Sequence, residues 1–192
     1  SVISIIAQTL DDAAGEALDK GAKLLGISYP GGAELERRAK GGNSSAYEFP
    51  RAFSNKNDMK FSFSGLKTSL LYTLRKMNEK EVIENYADLS ASYQWAAMQQ
   101  LVTKTKHAWE QGNFRSIGLS GGVANNQLLR SEMKSLADSK DTCLLCAEPE
   151  HTGDNAAMIA FAAHIDSENV QPNNNQDLSF NPSLSLNHIS SQ

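Results

Sequence analysis

The sequence predicts an α/β fold, and two segments carry that prediction. Ser116-Ile117-Gly118-Leu119-Ser120 reads as a strand, runs directly into Gly121-Gly122, and is followed by a helical pattern from Asn125 to Leu136. Strand, glycine turn and helix in that order form an α/β unit. A second strand, Thr142 to Cys146, leads through Pro149 to Gly153-Asp154-Asn155, which opens an alanine-rich helix to about Ile165. With 40% hydrophobic and 21% charged residues over 192 positions, the chain has the means to bury one substantial core.

The elements before these strands are mostly helical. Thr9-Leu10-Asp11-Asp12 has the Ser/Thr-x-x-Asp/Glu form of a helix start, and Ala13, Ala14, Ala17, Leu18, Ala22, Leu24 and Leu25 supply the apolar positions up to Gly26. After the turn Pro30-Gly31-Gly32, Glu34 to Lys40 reads as a short charged helix stopped by Gly41-Gly42. Residues 43 to 60 read as a loop leading into Phe61-Ser62-Phe63-Ser64-Gly65-Leu66-Lys67, with a helix to about Met77. Glu79 to Gln111 is helical, with a possible break near Asp88 and an apolar side formed by Leu89, Tyr93, Ala96, Ala97, Leu101, Val102 and Ala108. Residues 167 to 192 are rich in Asn, Ser and Gln and are expected to be an extended or mobile tail.

Several function classes lose support at this stage. The apolar runs fall short of a membrane span, and the first six residues do not resemble a signal peptide, so a cytoplasmic protein with no membrane partner is expected. Cys143 and Cys146 form a C-x-x-C in a strand, where positions three apart face opposite ways; with no second Cys/His pair they are expected to be small core residues. The net charge of -4 conceals an asymmetry, since residues 20 to 80 hold 12 of the 18 Lys/Arg but 5 of the 22 Asp/Glu, a local balance of +7. Such segregation fits either a nucleic-acid face or solvated helix surfaces.

Three features could carry chemistry. Gly121 and Gly122, between a strand and a helix, leave the backbone open to a nucleotide or phosphate, although two glycines also make a simple tight turn. Asn126, in the first turn of that helix, is either a ribose or base partner or a cap. Asp154 is either a metal ligand or the N-cap of the last helix. Neither a G-x-S-x-G nor an H-E-x-x-H motif occurs, so nothing points directly to hydrolysis, and no catalytic general base can be nominated.

Several strings together resemble one family. Residues 9 to 32 are similar to its D-D-A-A-G-E-A-x-D-K segment running into Y-P-G-G; Phe49-Pro50-Arg51 to F-P-R; residues 61 to 68 to F-S-F-S-G-L-K-T; residues 121 to 126 to G-G-V-x-x-N; and residues 154 to 160 to D-N-A-A-M-I-A. The family is that of the tRNA threonylcarbamoyladenosine transferases, the TsaD or glycoprotease-like proteins. The resemblance implies an actin-like, ATPase-type lobe of ribonuclease-H-like form over residues 1 to 166, with a helical insertion at about 33 to 112. It implies transfer of threonylcarbamoyl from threonylcarbamoyl-AMP to adenosine 37 of tRNAs reading codons that begin with A. Asp19, Gly32, Glu36 and Asn126 match substrate-binding positions, Gly121 and Gly122 are expected to position the adenylate, and Asp154 matches a carboxylate ligand to one divalent metal, iron or zinc.

The resemblance also implies partners: tRNA, a TsaB-like paralogue, a TsaE-like ATPase and an N-terminal lobe. The family's H-x-x-x-H and S-G-G-H elements do not occur in this sequence, and His107, His151, His164 and His188 do not reproduce the spacing. The chain is therefore expected to be a C-terminal lobe that is inactive by itself. A non-catalytic partner module and a metal-dependent glycoprotease are the alternatives. Arg37, Arg38, Lys40, Arg51 and Lys67 are the expected tRNA phosphate contacts.

Overall fold

A computed structural model describes residues 4–165, so the expected tail lies outside the described residues. The order is β1 (Gln8–Thr9), α1 (Ala14–Leu24), α2 (Gly32–Ala39), β2 (Lys60–Phe61), α3 (Ser64–Leu74), α4 (Glu79–Glu84), α5 (Tyr86–Gln111), β3 (Ser116–Leu119), α6 (Gln127–Ser139), β4 (Cys143–Cys146) and α7 (Ala156–Ile165). Short 3-10 turns at Gly122–Asn125 and Pro149–His151 precede α6 and α7. The strands form two separate parallel pairs, β1 with β2 and β3 with β4, the second in register from Ser116 opposite Cys143 to Leu119 opposite Cys146. A parallel pair needs a crossover, and α6 supplies it for β3 and β4.

The core is built on α5. Ten consecutive positions, Leu89 to Met98, are buried with the exception of Trp95, a pattern of a helix covered on nearly all sides. Helices α1, α2, α3 and α6 all pack against it. Tyr93, fully buried, lies where Gly21 leaves room: a Cβ on Gly21 would stand 2.2 Å from Tyr93 Cε1. The Tyr93 hydroxyl donates to Ala17 O at 2.8 Å, and Phe49 meets the same ring edge-on at 5.6 Å. Two turns earlier, the Tyr86 hydroxyl donates to Leu25 O at 2.6 Å, satisfying a carbonyl that the end of α1 leaves free. Leu35 is the one buried residue of the charged helix α2, and it anchors that helix to the core. Burying such a leucine contributes about 1.5–3 kcal/mol.

Several boundaries differ from the sequence reading for local reasons. Thr9 does not cap α1: it belongs to β1, and its hydroxyl donates to Asp12 O. Asp11 does not face α1 either. Its carboxylate accepts from Phe63 N at 2.8 Å and from the hydroxyls of Ser62 and Ser64 at 2.5 and 2.7 Å, so it tethers the start of α3. Helix α3 begins at Ser64, within the Phe61–Lys67 segment, and ends at Leu74, three residues before the expected Met77. The break in the long helix falls at Asn85, and Asp88 instead accepts from Asn43 N at 2.7 Å, laying the loop after α2 onto α5. Helix α6 starts at Gln127, because Asn125 closes the 3-10 turn.

The cysteines are not core residues. Cys143 is exposed and Cys146 half-buried, because among the described residues β4 pairs with β3 alone, and Leu145 on the same strand is 60% exposed. The alternation of faces holds; the burial does not.

Two measurements check this account. Gly21→Ala should lower the stability of the chain by about 1–3 kcal/mol, as overpacking does, and thermal unfolding should move downward. Burial pushes the Asp11 carboxyl up, but the hydrogen bonds from Ser62, Phe63 N, Ser64 and Asp12 N outweigh it and hold the group far below the usual carboxylate range. A depressed folded-state pKa contributes stability that is present above the unfolded value, about 4, and lost as pH falls below it. The stability advantage over Asp11→Asn, followed by urea unfolding, should therefore shrink between about pH 5 and about pH 3.

Candidate functional site

A cavity of about 300 Å³ opens where α1, the start of α2 and the turn before α6 meet. Asp19, Gly32, Glu36, Gly122, Asn125 and Asn126 line it, so five of the six predicted substrate residues come together and Gly121 adjoins them. They are brought from positions 107 residues apart in sequence by the packing of α1, α2 and α6 around α5.

Each acid in the cavity is already held by backbone amides. Asp19 Oδ1 accepts from both Gly31 N and Gly32 N at 2.8 Å, which shapes the turn after α1. Glu36 Oε1 accepts from Gln127 N at 2.6 Å, joining α2 to the first turn of α6, where a carboxylate complements the helix dipole. The second oxygen of each carboxylate has no hydrogen-bond partner among the described residues. The lining thus presents two acceptors and no cation, which suits the hydroxyls of a sugar and disfavours a phosphate beside them.

Asn126 is 5% exposed; its Oδ1 accepts from Leu129 N at 3.0 Å, capping α6, and its Nδ2 donates to Gln94 Oε1 at 3.3 Å. It forms the wall of the cavity through the cap. Gly121 has a φ of 86°, a left-handed conformation that favours glycine. At neither glycine would a Cβ meet a protein atom within 4 Å, so both face open space, and Gly122 lacks the left-handed backbone of Gly121.

Asp154 follows a segment tied to this cavity. Thr152, buried, accepts from Asn125 Nδ2 at 2.7 Å, and Arg130 donates to Ala124 O and Ala147 O, binding the turn before α6 to the end of β4. Asp154 itself is exposed and does not cap α7. That role belongs to Asn155, whose Oδ1 accepts from Met158 N at 3.0 Å. Among the described residues no group of three or more His, Cys, Asp or Glu could hold a metal, and one exposed carboxylate does not make an iron or zinc site.

The expected phosphate contacts separate into two kinds. Arg37 and Arg38 are both engaged by Glu34, at 2.5 and 2.7 Å, and their guanidiniums hold its carboxyl down to about 2. Arg38 also lies over the Tyr86 ring at 4.8 Å. Their charge is largely answered within the helix surface. Lys40, Arg51 and Lys67 are exposed and form no ion pair among the described residues. The pairing follows from spacing, since Glu34 stands three and four residues before the two arginines.

This α/β chain, with its cavity between helix ends, matches over residues 1–161 the family model TsaD: tRNA N6-adenosine threonylcarbamoyltransferase. The chain belongs to that family. It is 46% identical over 160 residues to the tRNA N6-adenosine threonylcarbamoyltransferase of Moorella thermoacetica, covering 83% of this chain and 47% of that protein. It is 43% identical over 164 residues to the protein of the same name from Thermosipho melanesiensis, covering 84% and 49%. The chain spans about half the length of the curated relatives it matches. No helix among the described residues is long and apolar enough to cross a membrane.

Gly122→Val tests whether the cavity is a ligand site. The variant should fold with an unchanged melting temperature, since the added carbons enter open space, yet lose binding of an adenosine nucleotide measured by calorimetry.

Proposed function

We propose that the chain is the C-terminal, substrate-binding half of a tRNA threonylcarbamoyltransferase, an actin-like lobe elaborated by a helical insertion at about residues 33–112. The observation that carries this reading is the convergence of Asp19, Gly32, Glu36, Gly122 and Asn126 on one cavity in a chain of this family. At about 300 Å³ the cavity lies at the lower end of small-molecule sites, the size expected of part of a cleft completed by another unit.

In this reading the ribose of threonylcarbamoyl-AMP sits against the free oxygens of Asp19 and Glu36, and its phosphate lies outside these acids, towards the Gly121-Gly122 backbone. The exocyclic amine of adenosine 37, in tRNAs reading codons that begin with A, attacks the carbamoyl carbon. A carbon–nitrogen bond forms, the bond from that carbon to the phosphate oxygen breaks with its electron pair leaving on AMP, and the amine gives up a proton. The residues of this half orient the adenylate, and fixing the electrophile relative to the incoming amine is a large part of such catalysis.

The other half of the site comes from the N-terminal lobe, in a cytoplasmic assembly with TsaB-like and TsaE-like partners. Asp154 supplies one ligand to a divalent metal, iron or zinc, whose histidine ligands belong to that lobe. Support for a covering partner comes from α7: its ten residues, A-A-M-I-A-F-A-A-H-I, are apolar nearly all round and exposed, with Ile159, Phe161 and Ile165 each at least 65% exposed. A helix of that composition belongs in a core.

Metal content and tRNA modification should be measured for the chain alone and for the chain joined with an N-terminal lobe carrying H-x-x-x-H and S-G-G-H. Metal and activity are expected only from the pair, and Asp154→Ala should remove both while leaving helix content unchanged, because Asn155 holds the cap. Full modification activity from the chain alone, or from the pair carrying Asp154→Ala, would overturn the assignment.

A further inference from the structure

The cavity at Asp19 and the stretch that carries Asp154 meet at one side chain. From Glu148 to Ile165 every residue is exposed except Thr152, which is buried and anchors the stretch to the body of the protein. The Thr152 hydroxyl accepts from Asn125 Nδ2 at 2.7 Å and donates to Pro149 O at 2.8 Å. Pro149 belongs to the stretch itself. Among the described residues, the bond from Asn125 is therefore the only hydrogen bond that joins residues 148–165 to the rest of the chain.

Asn125 is held from its other side as well. Its Oδ1 accepts from Arg130 Nη2 at 3.4 Å, and its backbone carbonyl accepts from Gln127 Nε2 at 3.2 Å. Arg130 is fixed in turn, with Nε donating to Ala124 O at 2.6 Å and Nη2 to Ala147 O at 2.9 Å. A guanidinium only donates, so the Asn125 oxygen faces Arg130 and the amide nitrogen faces Thr152. An amide nitrogen carries two N–H groups. One goes to Thr152, and the other has no partner among the described residues.

Asn125 lines the cavity at Asp19 beside Gly122 and Asn126, whereas Thr152 and Arg130 do not. It brings a donor to a lining in which Asp19 and Glu36 present acceptors. The ribose oxygens, ring nitrogens and phosphate of a nucleotide can all accept from such an N–H.

We propose that Asn125 is a positioning residue that couples the two parts of the site. An adenosine nucleotide in the cavity accepts from its second amide N–H, and the same amide, oriented by Arg130, fixes Thr152 and with it the stretch leading to Asp154 two residues further on. The inference rests on the reading of the cavity as a nucleotide site. A ligand that binds the clasped arrangement better also strengthens the clasp, and by the same factor. Nucleotide binding thus orders residues 148–155, and loss of the clasp weakens nucleotide binding.

The test is hydrogen exchange over residues 148–155 of the 192-residue chain with and without AMP, together with AMP affinity by calorimetry and the melting temperature of each variant. AMP should slow exchange there in the wild type. Thr152→Val removes the hydroxyl at nearly constant volume; it should speed exchange, abolish the slowing by AMP and weaken AMP binding about fivefold, although position 152 does not line the cavity. Thr152→Ser keeps the hydroxyl and should behave as wild type. Asn125→Ala cuts the bond from the cavity side, leaves that between Thr152 and Pro149, and should also lose the slowing. A merely structural bond would give faster exchange in Thr152→Val with AMP affinity unchanged, and that result would overturn the proposal. So would slowing by AMP that persists in Asn125→Ala, which decides the matter if Thr152→Val does not fold. AMP binding by the wild type with no change in exchange over 148–155 would overturn the coupling and leave the nucleotide reading of the cavity standing. Absence of AMP binding by the wild type would overturn both.

Discussion

The seat of Tyr93 against Gly21 is the contact on which the rest of the molecule depends. It brings α1 against the middle of α5 so closely that no side chain fits between them, and the hydroxyl then binds the α1 backbone at Ala17. With α1 set at that depth, Asp19 reaches the turn ahead of α2, and α2 lies along α5 through Leu35. Gln94, the residue after Tyr93, meets Asn126 and sets the start of α6. A single ring in the core therefore determines where all three walls of the cavity at Asp19 stand.

Around that core, carboxylates and amides act as clamps on the backbone. Asp11 holds the start of α3, Asp19 the Gly31-Gly32 turn, Asp88 the loop after α2, and Glu36 the first turn of α6. Buried or half-buried N–H groups outside regular structure need acceptors, and an ionised carboxylate is a strong one. The arrangement has a functional consequence at Asp19 and Glu36, where one oxygen holds the fold and the other remains available to a ligand.

Lys104 reverses the pattern: a cation gathers carbonyls instead of a carboxylate gathering amides. Its loop carries Arg51 and Phe53, and the adjacent Gln100 amide remains unpaired. The cavity at Asp19 is lined by acids, whereas the one beside Lys104 adjoins a buried positive charge. Among the described residues, helix α7 has an exposed apolar surface, and β4 pairs with β3 alone and leaves Leu145 exposed.

The sequence by itself determined the α/β class, the helical middle, the strand–glycine turn–helix unit at 116–136 and the family, because each rests on local patterns of a few to a few dozen residues. It also singled out the residues that line the cavity at Asp19. It did not disclose that Asp11 belongs to α3 and not to α1, that Asn155 and not Asp154 caps α7, or that Arg37 and Arg38 are answered by Glu34 as a pair. It misjudged Cys143 and Cys146, whose alternating strand pattern resembles burial although, among the described residues, the strand pairs with β3 alone. Gln100 carried no signal, since a glutamine in a helix reads as a solvated residue until its surroundings are known. Spacing along the chain records which way a side chain points from its own element. Which partners await it there, and whether a polar atom is left without one, depends on elements tens of residues away, and only tertiary packing decides that.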